Sequence, residues 1–397
     1  MIIKNFIKIA ACFLVTFSVI SCTQTSKEEI LNSNLETIVK DYEAVGLAVA
    51  AVKDGEIIYS NTFGYKDLDA KTPLQESDIF RIASISKSFT ALGIMQMVEQ
   101  GKIDLEGDVS KYVGFDVKNP NFPDKVITMR MLLSHTSSIN DSEGYYSPNA
   151  VKLINPDSNK TYAKAFNNYE PGTSYEYCNL GYNTLGTILE RVSGERFDKY
   201  IVNHILKPIG VYGGYEVGSL DANKFVQLYA YQEKDGTYQH APEAYMPRTQ
   251  EIENYVFGVS TPLFSPTGGL KISAKDLAKV MLVHMNYGSS IATEEKEAVK
   301  IIDKHSAEIM QSKIAYPTDA GDSYGFAIRT SDQLIDGKTM IGHTGGAYGV
   351  ITTMFWDKER EFGIVTMTNG CKPGSVKNFP AFNREVNNEI YNRLIKE

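Results

Sequence analysis

The sequence predicts an α+β fold in which a single antiparallel sheet draws strands from both chain ends, is flanked by helices, and carries a helical lobe inserted between its halves. Three observations lead there. Gly46 to Val52 and Glu56 to Thr62 read as a hairpin closed by Lys53-Asp54-Gly55, because Asp-Gly supplies the positive φ that a tight turn needs. From Tyr324 onward, short apolar runs alternate with turn signals. Between these regions the apolar spacing is helical. A chain of 397 residues with 43% hydrophobic composition can bury a large core. With no repeat, low-complexity segment or linker after Lys40, it reads as one folded unit with lobes.

The N-terminus stands apart from that unit. Lys4 and Lys8 precede an apolar stretch from Ile9 to Ile20, too short for a spanning helix and typical of an export signal. Val19-Ile20-Ser21-Cys22 resembles a bacterial lipobox, with Val19 where Leu is usual. That resemblance implies a lipoprotein signal peptide over residues 1–21 and lipidation of Cys22. The mature protein would then be a lipoprotein of the cell envelope, on the periplasmic face or the outer membrane; plain secretion is the alternative. Residues 22–34 read as a tether, polar from Thr23 to Glu29, running into a helix over residues 30–43; residues 35–397 form the domain.

Helices follow at residues 86–100 and 128–134. Asn140 to Asn168 is irregular, polar and aromatic, suited to covering a surface or cleft. Pro171-Gly172 is a turn, and the helix from Leu180 to Ser193 stops at Gly194. Ser265-Pro266-Thr267-Gly268-Gly269 makes a tight loop, after which Ser273 caps a helix to Asn286 with Asp276 at its third position. Strands are expected at Tyr324 to Arg329, Lys338 to Gly342, Val350 to Trp356 and Glu361 to Thr368, before an amphipathic helix from Asn383 to Lys396.

Composition narrows the function. The formal charge is −8, and −10 once Lys4 and Lys8 leave with the signal, with no basic block to hold nucleic acid. Cys12 leaves and Cys22 is lipidated, so Cys178 and Cys371 remain, as free thiols or one incidental bridge. No CxxC or HExxH occurs, and neither a metal nor a cofactor is expected.

The chemistry concentrates at Ser84-Ile85-Ser86-Lys87, the sole Ser-x-x-Lys in the chain. Residues i and i+3 share a helix face, so the Ser84 hydroxyl and Lys87 amine can lie together at a helix N-terminus, where a developing anion is favoured. A serine needs a base to take its proton, and a desolvated lysine can serve. One such match is expected by chance in about one chain of this size, so partners matter. They are present as Tyr177-Cys178-Asn179 before a helix and His343-Thr344-Gly345, which falls between two expected strands. His135 sits among Leu132, Leu133 and Thr136 and reads as structural; no Gly-x-Ser-x-Gly elbow exists, which removes an α/β-hydrolase reading.

The phrases Phe80 to Ala91, Ile127 to Ser138, Pro171 to Gly194, Thr267 to Leu277 and Gly342 to Gly349, in this order, resemble the serine β-lactamase and penicillin-binding family. The branch is that of class C β-lactamases, D,D-peptidases and esterases, and the resemblance spans residues 35–395. It implies an α/β sandwich of the β-lactamase/transpeptidase type. It also implies Ser84 as acylated nucleophile, Lys87 as proton acceptor or relay, and Tyr177 as partner acid and base, its phenol acidified by the Lys87 charge. Asn179 would hold Lys87 and the substrate. His343, Thr344 and Gly345 would line the substrate site, with the backbone N–H groups of Ser84 and Gly346 as the oxyanion hole and Gly346 permitting close approach.

Two departures stand out: His343 replaces the lysine of the lactamases, and Ser138 replaces a usual glycine. A histidine is mostly neutral at pH 7, and protonation at lower pH would let it grip a substrate carboxylate. The expected function is an envelope-anchored serine hydrolase acting on a peptide, amide or ester, of D,D-peptidase or esterase type. The alternatives are a β-lactamase and a non-catalytic penicillin-binding or sensor protein on the same fold. The substrate partner is a small molecule, peptide or ester; the oligomeric state is left open.

Overall fold

A computed structural model describes residues 26–292, 296–317 and 321–396. The signal peptide and Cys22 lie outside the described residues. Helix α1 spans Lys27–Asp41, with Ser26 and Glu29 closing a reciprocal capping box. Leu31 and Leu35 on this helix are wholly buried. Residues 27–34, read from sequence as tether, are therefore the first turns of a packed helix, which corrects that boundary: amphipathic spacing outweighs the polar composition.

Strands β1 (Gly46–Lys53) and β2 (Glu56–Asp67) form the expected hairpin, with Asp54 and Gly55 both at positive φ. β3 is the short Thr72–Pro73. The C-terminal half supplies β4 (Ser323–Tyr324), β5 (Arg329–Ser331), β6 (Met340–Ala347), β7 (Val350–Asp357) and β8 (Phe362–Thr368). They form one eight-stranded sheet in the order β3-β2-β1-β8-β7-β6-β5-β4, antiparallel wherever neighbours pair. Both chain ends thus meet at β1 and β8, as the sequence predicts.

β1 shows why the sheet is central. Leu47, Val49 and Ala51 join the core under α1 and the final helix, while Ala48, Ala50 and Val52 join the core of the helical lobe. A strand buried on both faces reads as a continuous apolar run. The layers are α1 with the C-terminal helix Ala381–Ile390 on one face and the lobe on the other, an α/β sandwich.

Two sequence expectations change. Tyr324 to Arg329 is two short strands around a turn with Ala327 at positive φ, not one strand. His343-Thr344-Gly345 lies inside β6, not between strands, paired through Met354, Thr353 and Thr352 of β7.

Candidate active site

Helix α2 (Ser86–Glu99) is buried almost all round and begins directly after a 3-10 turn, Ala83–Ile85, that carries Ser84. The turn is held from several sides. The Ile82 N–H donates to the Leu270 carbonyl at 3.0 Å, Ser86 Oγ accepts from the Leu270 N–H, and Thr352 Oγ1 donates to the Ile82 carbonyl. Ala83 stands at φ 46°, an uncommon conformation for a residue with a side chain, immediately before the nucleophile.

A Cβ added to Gly345 would lie 2.3 Å from the Ile82 carbonyl oxygen, so this glycine lets β6 run against the Ser84 turn. At Gly346 an added Cβ would meet nothing closer than 4.0 Å. Gly346 is exposed and faces the cleft, while Gly345 makes the close backbone contact.

Lys87 is fully buried. Its Nζ lies 3.3 Å from Ser84 Oγ, 2.8 Å from Asn179 Oδ1 and 2.9 Å from the Thr267 carbonyl. Burial lowers its pKa from the usual 10.5 to about 7, against the opposing pull of Asp141. Burial thus makes the unprotonated amine accessible near neutral pH, within reach of the serine proton.

Tyr177 and Asn179 straddle Cys178, the N-cap of helix α3 (Asn179–Ser193). The Tyr177 segment is clamped by His135: its carbonyl accepts from the Glu176 N–H at 2.9 Å, and its Nδ1 accepts from the Cys178 N–H at 3.0 Å. The His135 and Tyr177 rings lie 4.3 Å apart. The structural reading of His135 fits this arrangement. Lys87 Nζ stands 4.8 Å from the centre of the Tyr177 ring. The expected acidification of Tyr177 is corrected. Burial pushes the phenol well above 10, and the opposing effect of nearby Ser84 is smaller. Burial favours the uncharged form of both groups, a phenol beside an amine, because the same desolvation that frees the lysine amine keeps the tyrosine proton in place.

Asp141 was not singled out by sequence, yet it organises this corner. Its carboxylate accepts from the Asn179 N–H (3.0 Å), Asn179 Nδ2 (2.8 Å), the Leu180 N–H (2.8 Å) and the Cys178 thiol (3.4 Å). This is a negative charge at the positive end of α3. It turns the Asn179 side-chain oxygen toward Lys87 and Thr267 Oγ1. Cys178 and Cys371 are both buried free thiols, which answers the bridge question left open by sequence.

His343 is fully engaged inside the protein. Its Nδ1 meets the Thr344 carbonyl at 2.5 Å, and its Nε2 meets the Tyr324 hydroxyl. A carbonyl only accepts, so Nδ1 carries the proton and Nε2 takes the Tyr324 hydrogen. Burial, with Lys87 second, lowers the ring pKa to about 3. The expected grip on a substrate carboxylate between pH 5 and 8 is corrected: the ring is neutral there and its nitrogens are occupied. Ser138 stands at φ 63°, where glycine is at ease, and its hydroxyl accepts from Asn119 Nδ2 at 2.9 Å.

Two lobes open on either side of Ser84. One, about 390 Å³, is lined by Tyr177, His343, Thr344, Tyr324 and Arg329; the other, about 470 Å³, by Asn179, Thr267, Tyr145, Tyr146 and Arg248. Ser84 and Gly346 line both. The irregular segment after Asn140 thus walls a cleft through Tyr145 and Tyr146. Among the described residues, no group of three His, Cys, Asp or Glu side chains is placed to hold a metal ion.

Comparison with known proteins identifies the family and the fold. The family described as Beta-lactamase matches residues 31–386. Penicillin-binding protein 4* of Bacillus subtilis is 33% identical over 191 residues, which is 47% of this chain and 41% of that protein. Protein flp of Staphylococcus aureus strain N315 is 24% identical over 82% of this chain and 59% of its own length. The chain therefore spans less than two thirds of these curated relatives. Among solved structures, EstCE1, described as a hydrolase with promiscuous acyltransferase activity, superposes with TM-score 0.69 at 22% identity, over 91% of this chain and 98% of its own. The D-amino acid amidase of Ochrobactrum anthropi SV3 superposes with TM-score 0.67 at 18% identity, over 92% and 97%. These likenesses establish a shared fold.

Proposed function

The chain belongs to the Beta-lactamase family, and from that premise we propose that it is a serine hydrolase working by acyl transfer through Ser84, on an ester or an amide. The observation that carries this reading is Lys87: fully buried, 3.3 Å from Ser84 Oγ, with its pKa lowered to about 7. A solvated helix lysine has neither the position nor the protonation state for a base. The esterase and amidase likenesses support an ester or amide substrate, and the penicillin-binding relative keeps D,D-peptidase action among the choices.

In this mechanism the neutral Lys87 amine takes the Ser84 proton as Oγ attacks the carbonyl carbon. The oxyanion rests on the backbone N–H groups of Ser84 and Gly346. Tyr177, which burial keeps protonated, gives its proton to the departing alkoxide or amine and recovers one from Lys87. The acyl group is then on Ser84 and the leaving group departs protonated. Water repeats the sequence in reverse, returning the proton to Ser84 and releasing the acid. Asn179, fixed by Asp141, holds Lys87 in line.

Export and lipidation at Cys22, with the mature chain at the envelope, complete the proposal; they rest on the sequence pattern at residues 19–22. Fatty-acid labelling that survives Cys22→Ala would remove that part. For the chemistry, the test is a screen of aryl esters, D-Ala-D-Ala peptides, D-amino-acid amides and nitrocefin against wild type and Ser84→Ala. Turnover of at least one class by the wild type, absent from the variant, is expected. Equal rates for the two proteins would end the reading.

A further inference from the structure

Two arginines line the same cavity beside the nucleophile. Arg81 and Arg248 line the 470 Å³ lobe that Ser84 and Asn179 open into, and among the described residues no Asp or Glu lines it. The adjoining cavity, which shares both arginines, adds Glu216 and Glu243; Glu216 is held by Arg196 and Lys199, and Glu243 is exposed.

Arg81 is set by the small sheet in which Phe80–Arg81 pairs with Lys271–Ile272. Its guanidinium lies 5.1 Å from the centre of the Tyr348 ring, Nη1 donates to the Ala244 carbonyl at 3.2 Å, and Nε is buried without a hydrogen-bond partner. A guanidinium offers five N–H groups in a planar fork suited to a carboxylate. Arg248 is exposed and contacts Glu251 at 3.3 Å, a solvent-exposed ion pair that a bound anion can displace at little cost. The two positive charges repel one another, a repulsion that an anion between them relieves.

The chemistry assigns this lobe to one half of the substrate. Tyr177, which hands its proton to the leaving group, lines the opposite lobe with His343 and Thr344. There Arg329 is already paired, its Nε donating to Asp322 at 2.6 Å. The leaving group therefore occupies the His343 lobe and the acyl group occupies the arginine lobe.

We propose that the arginine lobe selects acyl groups bearing a carboxylate, bound between Arg81 and Arg248, and disfavours acyl groups bearing an ammonium. This rests on the acyl-transfer reading above. It is tested with aryl esters of butyric acid and of glutaric acid with one free carboxylate, compared by kcat/KM in wild type and Arg248→Glu. The glutaryl ester should be preferred by about tenfold in the wild type, the worth of one charge-assisted contact of modest strength. The ratio should fall below one in the variant and shrink with added salt. Turnover of both esters with a ratio at or below one, or a ratio unmoved by Arg248→Glu, overturns the proposal and leaves the hydrolase standing. If neither ester is turned over, the lobe is judged by binding, and the hydrolase reading is judged by the substrate screen above. Glutarate should then raise the unfolding midpoint of the wild type but not of Arg248→Glu, and no such rise overturns the proposal as well.

Discussion

Replacing Lys87 by Met should silence the enzyme and change its stability by an amount that depends on pH. Lys87 is 0% exposed, and burial lowers its pKa from 10.5 to about 7. Above about pH 7 the folded chain holds it neutral, while the unfolded chain keeps it charged up to 10.5. Within that window the unfolded state binds the extra proton, so the wild type gains stability as pH rises from about 7 to 10.5. Below about pH 7 both states are protonated and the penalty is constant. At 1.36 kcal/mol per pH unit the full window corresponds to about 5 kcal/mol. Met escapes this penalty but takes a donor from the Thr267 carbonyl, which costs about 1–3 kcal/mol at any pH, while Asn179 Oδ1 keeps its bond from Thr267 Oγ1. The Met variant should therefore compare best with wild type at and below pH 7, and lose ground by about 2–3 kcal/mol between pH 7.5 and 9.5. Urea unfolding of both proteins across that range reads the difference, and titration of the other lysines cancels in it. A difference constant to within about 0.5 kcal/mol would show that Lys87 is not desolvated, and the base assignment would fall with it.

Three further outcomes follow from the site. Tyr177→Phe keeps the ring against His135 but removes the proton carrier, so kcat should fall by about 10²–10⁴; a loss under about threefold would mean that Lys87 acts alone or through water. For a neutral ester, kcat/KM should drop about tenfold per pH unit below pH 7, as Lys87 takes a proton. His343 should add no inflection of its own to that limb, because its pKa is lowered to about 3; a second inflection near pH 6.5 that is lost in His343→Asn would contradict its placement. Asp141→Ala should lower kcat by about tenfold or more, since the hydrogen bonds that hold Asn179 are charge-assisted. It should also move the acid limb below pH 7, because the Asp141 charge favours protonated Lys87; a limb that stays in place would make Asp141 merely structural.

The sheet was legible because its signals are local. Asp54-Gly55 turns the hairpin where it should, and Gly194 at φ 76° ends α3. The Ser84, Lys87, Tyr177 and Asn179 set was legible because spacing and order carry it. What escaped is set by tertiary contact. β6 includes His343-Thr344-Gly345-Gly346, a run poor in strand-forming residues, because the approach to the Ser84 turn admits only glycine at 345. Between Tyr324 and Arg329 the apolar residues are all buried, which hides from a period-2 reading the turn at Ala327. The Tyr177 phenol was misjudged because a sequence reading counts the lysine charge and not the burial that removes it. Asp141 and Arg248 stand far in the chain from the groups they serve, with no spacing rule to connect them.

The central claim is a covalent bond to Ser84, and it can be read directly. Wild-type protein mixed with an aryl ester or a fluorophosphonate, quenched in acid and weighed intact, should gain the mass of one acyl or phosphonyl group. Peptide mapping should place that group on Ser84, and Ser84→Ala should gain nothing under the same conditions. An adduct on another residue, or an unlabelled wild type that still turns over the ester, would contradict the account.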